Sequence, residues 1–386
     1  MRAFLRSLIL GGMDRRLSDM QRKLEEETDR RAELERHLPE LERRLEARMA
    51  DLIGRTARRT DGAGSPYSTP LNEVVREDAQ ARWNVKVLGS VLARELYASG
   101  LAGPDAPIPA APIHAGLASQ LCRQADIEQP WLHYWCQHMR KLPLYHRKIW
   151  EDAYVLQALW EADMMRPGRR GLGFAVGTES LPSIIAAHGV EVVATDLPVG
   201  DERVAGWHAT EQHAATLDAL FDPNMVGEAE FRRLCSFRPV DMNAIPADLA
   251  GQFDFCWSVC SLEHVGSIAL GLDFVVNAMA CLRPGGTAVH TMEFNLENGE
   301  TIDNWPTVLF QRRHVEDVVA RLIAAGHHVA PVDFDPGAGV MDQFVDVPPF
   351  AQDMKSVLAY PEGPHLRLSV DGFPCTSLAL IVRAAG

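Results

Sequence analysis

Glycines and carboxylates occur at positions that could bind a ligand in the stretch 169–196. An apolar run leads into a loop with Gly173, Gly177 and Glu179, a helix-like segment follows, and a second apolar run ends at Asp196. Glycines let a backbone approach a ligand closely, and an acid about 20 residues further on can accept hydrogen bonds from ribose hydroxyls. The pattern therefore predicts a strand, a glycine turn, a helix and a second strand that bind a nucleoside-containing cofactor.

The spacing of the glycines separates two classes of cofactor. From Gly171 they follow the order G-x-G-x-x-x-G, whereas a dinucleotide site uses G-x-G-x-x-G. Glu179 places a negative charge where a pyrophosphate would lie, but that charge suits the sulfonium and ammonium groups of S-adenosyl-L-methionine. On the residues alone S-adenosyl-L-methionine is favoured, with a dinucleotide or a purely structural glycine turn as alternatives.

Six short blocks, from about residue 150 to the C-terminus, resemble those of class I S-adenosylmethionine-dependent methyltransferases, and of one bacterial subgroup in particular. They are GLGFAVGTE at 171–179, ATD at 194–196, VDMN at 240–243, WSVCSLEH at 257–264, LRPGG at 282–286 and HTMEFN at 290–295. The resemblance implies an α/β fold with a doubly wound, mostly parallel, seven-stranded sheet. Two residues depart from the subgroup, since Ala175 stands at a usual glycine and Met292 at a usual threonine.

The resemblance also implies which residues bind the cofactor. Asp196 would hold the ribose hydroxyls, Asp241 the adenine amino group, and Met242 would lie against the adenine ring. The full predicted set is Gly173, Ala175, Gly177, Glu179, Asp196, Asp241, Met242 and Ser258.

His264 and Glu293 are the predicted catalytic residues. Methyl transfer is an in-line displacement, so the protein has to align the acceptor and remove its proton. A histidine that titrates near neutrality suits this task for a hydroxyl acceptor. We expect His264 to act as the base, with Glu293 on the opposite side of the acceptor pocket, where it orients the hydroxyl or fixes the histidine tautomer. The alternative for His264 is a helix-capping or pocket-lining residue that does not titrate.

A metal ion is an alternative occupant of the same site. Residues 260–264, CSLEH, are similar to the E-x-x-E-H motif of metal-dependent O-methyltransferases, but Cys260 replaces the first acid. Mg²⁺ prefers carboxylate ligands, whereas a softer metal could use cysteine and histidine. The prediction is therefore no metal, with a metal-bound site as the alternative.

Composition excludes several partners. The formal net charge is −14, and the C-terminal half carries no basic stripe that would suit a phosphate backbone. The seven cysteines are scattered without a C-x-x-C pair, as in reduced cytoplasmic proteins. No stretch reaches the length of a membrane span. We expect a cytoplasmic protein that has no transmembrane segment, does not bind nucleic acid and acts on a small-molecule or glycan acceptor.

The N-terminal part has a different pattern. Between residues 14 and 59 leucines recur at sevens, which predicts a coiled coil with a break at Pro39, although a solvated single helix is the alternative. A homodimer, or a partner bound through this coil, is expected. The predicted domains are an N-terminal helix or coiled coil at 1–59, a flexible linker at 60–70, a helical lid at 71–165 and the methyltransferase domain at 166–386.

Helical spacing predicts individual helices, and the length of one loop predicts that it lines the site. The predicted helices lie at 71–101, 117–126, 131–165 and about 211–221. Four tryptophans of the lid are predicted to be core residues, namely Trp131, Trp135, Trp150 and Trp160. The long loop after Asp196 is predicted to wall the cofactor through Trp207, Thr210, Gln212 and His213.

Three functional classes fit these features. An O-methyltransferase for a sugar, another hydroxylated metabolite or a glycan is favoured. A catalytically weak or inactive scaffold that acts through its coiled coil comes second, and Ala175 is its best support. An NAD-dependent oxidoreductase comes third.

Overall fold

The computed structural model describes residues 43–52, 63, 70–99, 107–204, 212–304, 306–348, 350 and 363–386. The chain divides into two compact units, Met1–Ala79 and Gln80–Gly386. Residues 43–52 are helical. Most of the predicted coiled coil and of the linker, together with Trp207 and Thr210, lies outside the described residues, so these remain predictions.

The described helices and turns are short, except for the first helix. The α-helices are α1 (Pro70–Ala98), α2 (Gln124–Ile127), α3 (Pro130–His138), α4 (Arg147–Glu161), α5 (Leu181–Ala187), α6 (Glu228–Leu234), α7 (Ile268–Ala278), α8 (Arg312–Ala324) and α9 (Val340–Gln343). Turns of 3₁₀ helix lie at Glu202–Val204, Leu217–Leu220, Ala247–Leu249, Leu262–His264 and Met279–Cys281.

Three helix predictions are wrong, and the one at 117–126 is described with the sheet below. The helix predicted at 131–165 is two helices, α3 and α4, because the segment between them contains Pro143, which has no amide hydrogen for a helix interior. The helix predicted at 211–221 is only the 3₁₀ turn Leu217–Leu220 within the described part of that segment.

The described strands form one large sheet and a small hairpin. They are β1 (Ser119–Leu121), β2 (Arg170–Phe174), β3 (Glu191–Asp196), β4 (Cys235–Pro239), β5 (Phe253–Ser258), β6 (Leu282–Asn295), β7 (Asp303–Asn304), β8 (Thr307–Val308), β9 (His328–Val329), β10 (Val332–Asp333), β11 (Val345–Asp346), β12 (Arg367–Val370) and β13 (Phe373–Arg383). The main sheet has the order β10-β1-β13-β6-β5-β2-β3-β4, with β9 and β12 also paired to β13 and β11 paired to β12.

The central sheet is mostly parallel, as predicted. Strands β4, β3, β2, β5 and β6 pair in parallel, and β13 runs antiparallel to β6. The described sheet contains 11 strands, more than the seven that the resemblance implies. One reason is that Ser119–Leu121 is a strand that pairs with β13, not part of the helix predicted at 117–126.

Each face of the sheet packs against its own hydrophobic core. Side chains of a strand alternate between faces, so Phe255 and Trp257 of β5 join a core with α3, α4 and α5, while Cys256 joins a core with α7 and α8. Trp135 and Trp150 are fully buried in the first of these cores. Helices therefore cover both faces of the sheet, and a ligand has to bind beyond the strand ends.

Helix α4 is buried although its sequence begins RKIWED. Burial of a charge is costly unless the charge is paired, so these residues have to find partners inside the protein. They find them at the carboxyl edge of the sheet, as described below. In the described parts of the chain, no helix has the length and apolar character needed to cross a membrane.

Candidate functional site

A cavity of about 540 Å³ opens at the carboxyl edge of the parallel strands. Its walls come from the segments that follow β2, β3, β4 and β5, and from α4 and the residues just before it. The lining includes six predicted cofactor-binding residues, which are Ala175, Gly177, Glu179, Asp196, Asp241 and Met242. Gln212 and His213 of the predicted wall also line it.

Two predicted cofactor-binding residues do not line this cavity. Ser258 is fully buried, and its hydroxyl is hydrogen-bonded to Nδ1 of His290 at 2.8 Å. Gly173 lies beneath the glycine loop, where a Cβ atom would stand 2.5 Å from the Trp257 ring and 2.5 Å from Val176. The structure gives Ser258 no route to a ligand, and it gives Gly173 a role in close packing.

The glycine loop has an unusual backbone. Ala175 has a φ of 46° and Gly177 a φ of 52°, both in the left-handed region that favours glycine. A Cβ atom on Gly177 would lie 2.5 Å from the carbonyl oxygen of Gln212. Glycine is therefore required at Gly177, whereas Ala175 accepts the same type of conformation at an energetic cost.

Asp196 ties the loop to the opposite wall of the cavity. Its Oδ2 accepts hydrogen bonds from the amides of Gly177 at 3.1 Å and Ala214 at 3.2 Å, and its Oδ1 accepts one from Leu197 at 2.8 Å. Burial raises the pKa of this carboxyl, although the three amides oppose the shift. A carboxylate has about four acceptor positions, so these three bonds leave one at Oδ1 for a ribose hydroxyl.

Asp241 already has a cationic partner. Arg203 donates from Nη2 to Asp241 at 2.7 Å and to Asp201 at 2.7 Å. The other oxygen of Asp241 accepts from the amide of Asn243 at 2.9 Å. An adenine amino group bound to Asp241 would therefore share the carboxylate with Arg203, a residue that the sequence analysis did not select.

The middle of the cavity is strongly charged. Lys141 donates to Asp152 at 2.9 Å, and both line the cavity beside Glu179, which accepts from the indole nitrogen of Trp257 at 2.8 Å. Burial raises the pKa of Glu179 well above its ordinary value, and the neighbouring Asp152 adds to the shift. This carboxyl would gain from a bound cation, because a cation favours its ionised form.

His264 lines the far end of the cavity. Its Nδ1 lies 2.9 Å from the carbonyl oxygen of Pro306, and a carbonyl only accepts, so Nδ1 carries the proton. The neutral ring then presents an unprotonated Nε2. Burial lowers the pKa of His264, which keeps the ring neutral at physiological pH.

Glu293 is not among the residues that line the cavity, and its predicted place opposite His264 stays a prediction. It is buried behind the cavity wall, and Arg147 donates from Nη2 to its Oε2 at 2.7 Å. Arg147 Nη1 also contacts Glu151 at 3.2 Å and the Cys260 sulfur at 3.3 Å. The guanidinium therefore fixes one carboxylate oxygen of Glu293 in place.

Five charged residues of α4 and of the segment before it were not predicted from the sequence to belong to the site. Lys141, Arg147, Lys148, Glu151 and Asp152 all lie at or behind the cavity wall. A signal was present, because their charges interrupt an otherwise apolar helix, which is the pattern of a buried helix that delivers charge to a site.

Comparisons with known proteins give distant likenesses. No protein-family model matches the chain, and a search of curated proteins finds no match. Among solved structures, the (4+2)-cyclase SpnF is 18% identical, over 61% of this chain and 83% of that chain, with a TM-score of 0.37. A putative sarcosine dimethylglycine methyltransferase from Galdieria sulphuraria is 13% identical, over 61% and 85% of the two chains, with a TM-score of 0.33.

A third solved structure is phosphoethanolamine N-methyltransferase 2 from Haemonchus contortus in complex with S-adenosyl-L-methionine. It is 14% identical, over 60% of this chain and 52% of that chain, with a TM-score of 0.36. All three are similarities at low identity. The function is therefore inferred from the residues of the cavity.

Proposed function

We propose that the protein is an S-adenosyl-L-methionine-dependent methyltransferase that methylates a hydroxyl of a sugar, another hydroxylated metabolite or a glycan. The observation that carries this proposal is the arrangement of groups in one cavity. Asp241 and Met242 suit an adenine, and Asp196 suits a ribose. The charged cluster around Glu179 suits the amino-acid part of the donor, and His264 suits the acceptor hydroxyl. This set matches the parts of the donor and its acceptor.

The charged cluster fits the amino-acid end of the donor. An α-amino acid carries an ammonium and a carboxylate, and the cavity offers Lys141 for the carboxylate and Asp152 with Glu179 for the ammonium. Both Lys141 and Asp196 act on the pKa of Glu179, so Glu179 lies near both the charged cluster and the residue assigned to the ribose. A sulfonium close to Glu179 would lie between the two ends of the donor, as the chemistry requires.

The reaction needs little chemistry from the protein beyond alignment and one proton transfer. When bound, S-adenosyl-L-methionine supplies a methyl group on a positively charged sulfur. His264 Nε2 accepts the proton of the acceptor hydroxyl, and the bond from Nδ1 to Pro306 holds the ring in the tautomer that can do so. Ser261 also lines this end of the cavity, where it can orient the same hydroxyl.

Calorimetry on the full chain tests the proposal. The protein should bind S-adenosyl-L-methionine and S-adenosyl-L-homocysteine, and it should not bind NAD⁺. Binding of NAD⁺ in their place would support the oxidoreductase, and a folded protein that binds none of the three would support the scaffold. Mass spectrometry of a panel of sugars and hydroxylated metabolites, incubated with protein and donor, then looks for a gain of one methyl group.

Two observations favour a catalytically weak or inactive scaffold as the second candidate. Of about four acceptor positions, Asp196 uses three and Asp241 two on protein donors. Ala175 also has a left-handed backbone at the loop that would touch the donor. In this version the cavity binds the donor weakly, and the protein acts in the cytoplasm through its N-terminal segment, as a homodimer or with a partner.

A further inference from the structure

Three potential metal ligands lie together behind the acceptor end of the cavity. Cys260, Glu263 and Glu293 are buried, and each offers one ligand atom within 4.8 Å of the others. Among the described residues, Glu263 Oε2 and Glu293 Oε1 have no hydrogen-bond partner. Buried carboxylate oxygens without donors are unusual, and they point to a site built for a cation.

A cation already lies among these ligands, and it is the side chain of Arg147. Its two terminal nitrogens are 2.7 Å from Glu293 Oε2 and 3.3 Å from Cys260 Sγ. Arg147 is 6% exposed, so its charge acts in a low-dielectric environment. Lys148 adds a second cation, and its ammonium group lies 3.2 Å from Glu151.

A divalent metal does not fit beside this guanidinium. A metal bound to a Glu293 oxygen at about 2.1 Å would lie within roughly 5 Å of Arg147, and like charges at that distance repel strongly in a protein interior. Cysteine binds a metal as the thiolate, yet the Cys260 thiol donates to Glu151 at 2.9 Å.

We infer that Arg147 takes the place of a divalent cation in this site, and that it positions Cys260 and Glu293 behind the acceptor end of the cavity. Cys260 is the link to the cavity, since it lines the wall next to Ser261 and has a left-handed φ of 43°. Arg147 is therefore a positioning residue. Its consequence for methyl transfer rests on the proposed function, but the substitution of a side chain for a metal does not.

Cobalt is the probe that tests the inference, because a cobalt ion bound to a thiolate has a strong near-ultraviolet absorption band. The full-length protein is titrated with Co²⁺ as wild type and as R147M, which is similar in length and has no charge. R147K is the matched control, since it keeps a cation in the site. The double variant R147M/C260S removes the only thiol among the three ligands.

The expected result is a thiolate band only in R147M, with an affinity for Co²⁺ at least about tenfold above that of wild type. Added Co²⁺ should also raise the melting temperature of R147M and leave that of R147K and R147M/C260S unchanged. A merely structural arginine would give no such band in any variant.

Two results would overturn the inference. One is a folded R147M protein, with a native circular dichroism spectrum, that binds no Co²⁺. The other is a wild-type protein that binds one Co²⁺ with the thiolate band, and this measurement decides the matter even if R147M does not fold. Calorimetry with S-adenosyl-L-homocysteine is run on the same samples, so failure of donor binding is scored separately from failure of the metal test.

Discussion

Lys141 provides the sharpest test of the donor site, because it should recognise only the amino-acid part of the donor. We predict that K141M weakens the binding of S-adenosyl-L-homocysteine and leaves the binding of 5′-methylthioadenosine unchanged. Both ligands carry the adenosine, but only the first carries the carboxylate assigned to Lys141. The ratio of the two affinities therefore isolates the interaction of this lysine from any general damage to the cavity.

The size of the effect follows from the surroundings of Lys141. A hydrogen bond to a charged group contributes about 1.5 to 3 kcal/mol. The side chain of Lys141 is 41% exposed, so water screens part of the interaction, and about 1 to 2 kcal/mol is expected. That corresponds to a loss of affinity of roughly 5- to 30-fold for S-adenosyl-L-homocysteine, against less than about twofold for 5′-methylthioadenosine.

The matched control is the double variant K141M/D152N. In K141M alone, Asp152 keeps a buried carboxylate without its ammonium partner, which should lower the free energy of unfolding. The double variant removes the pair together and should recover most of that stability, while its affinity for S-adenosyl-L-homocysteine stays low. Isothermal titration calorimetry gives the affinities, and urea unfolding gives the stabilities.

Equal weakening of both ligands by K141M would refute the assignment, since it would show that the lysine only maintains the shape of the cavity. Recovery of the S-adenosyl-L-homocysteine affinity in the double variant would lead to the same conclusion. If wild type binds neither ligand, the proposed donor is wrong, and the variants are not needed to decide it.

Three further predictions concern the loop, the base and the N-terminal segment. G177A should lower the free energy of unfolding by about 2 kcal/mol or more and abolish donor binding, because the added methyl group is strained in the left-handed backbone and contacts Gln212. A175G should change the free energy of unfolding by no more than about 1 kcal/mol and bind the donor at least as well as wild type. Thermal unfolding and calorimetry compare the two variants. H264Q should lower kcat by about 10²-fold with little change in donor affinity. The wild-type rate should fall at low pH with a midpoint below the ordinary histidine pKa, because burial lowers the pKa of His264. A rate that does not fall at low pH would exclude His264 as the base. Deletion of residues 1–59 should convert a dimer or partner-bound assembly into a monomer, and light scattering that finds a monomer in both cases would disprove the coiled coil.

The parts of the fold that were predicted correctly are those whose signals are local. The two strands predicted around the glycine turn match β2 and β3, and Asp196 ends β3 because it ends the second apolar run. In contrast, Ser119–Leu121 forms a strand only because β13 is available to pair with it, more than 250 residues away in the chain. A local pattern carries no information about such a partner.

The residues of the glycine loop and the strand ends were predicted, whereas the residues contributed by α4 were not. The reason is again that a local pattern carries no information about a distant partner. The glycine loop and the acids belong to a contiguous α/β pattern whose strand ends must meet at one edge. Lys141 and Arg147 reach that edge only because α4 packs across the sheet, and nothing in their own sequence context fixes that docking. The ion pair of Glu293 with Arg147 could not be predicted for the same reason, because the two residues are far apart in the sequence.

Helix α4 also sets a distance. Lys148 and Asp152 are one helical turn apart on the same face, about 6 Å along the axis, and both line the cavity. Lys148 acts on His264 at one end of the cavity, and Asp152 pairs with Lys141. A single rigid helix therefore fixes the distance between these two groups. Inserting a residue between 148 and 152 would rotate one contact by about 100° relative to the other, so if the proposed function holds, changes of acceptor are expected in the loops and not in this helix.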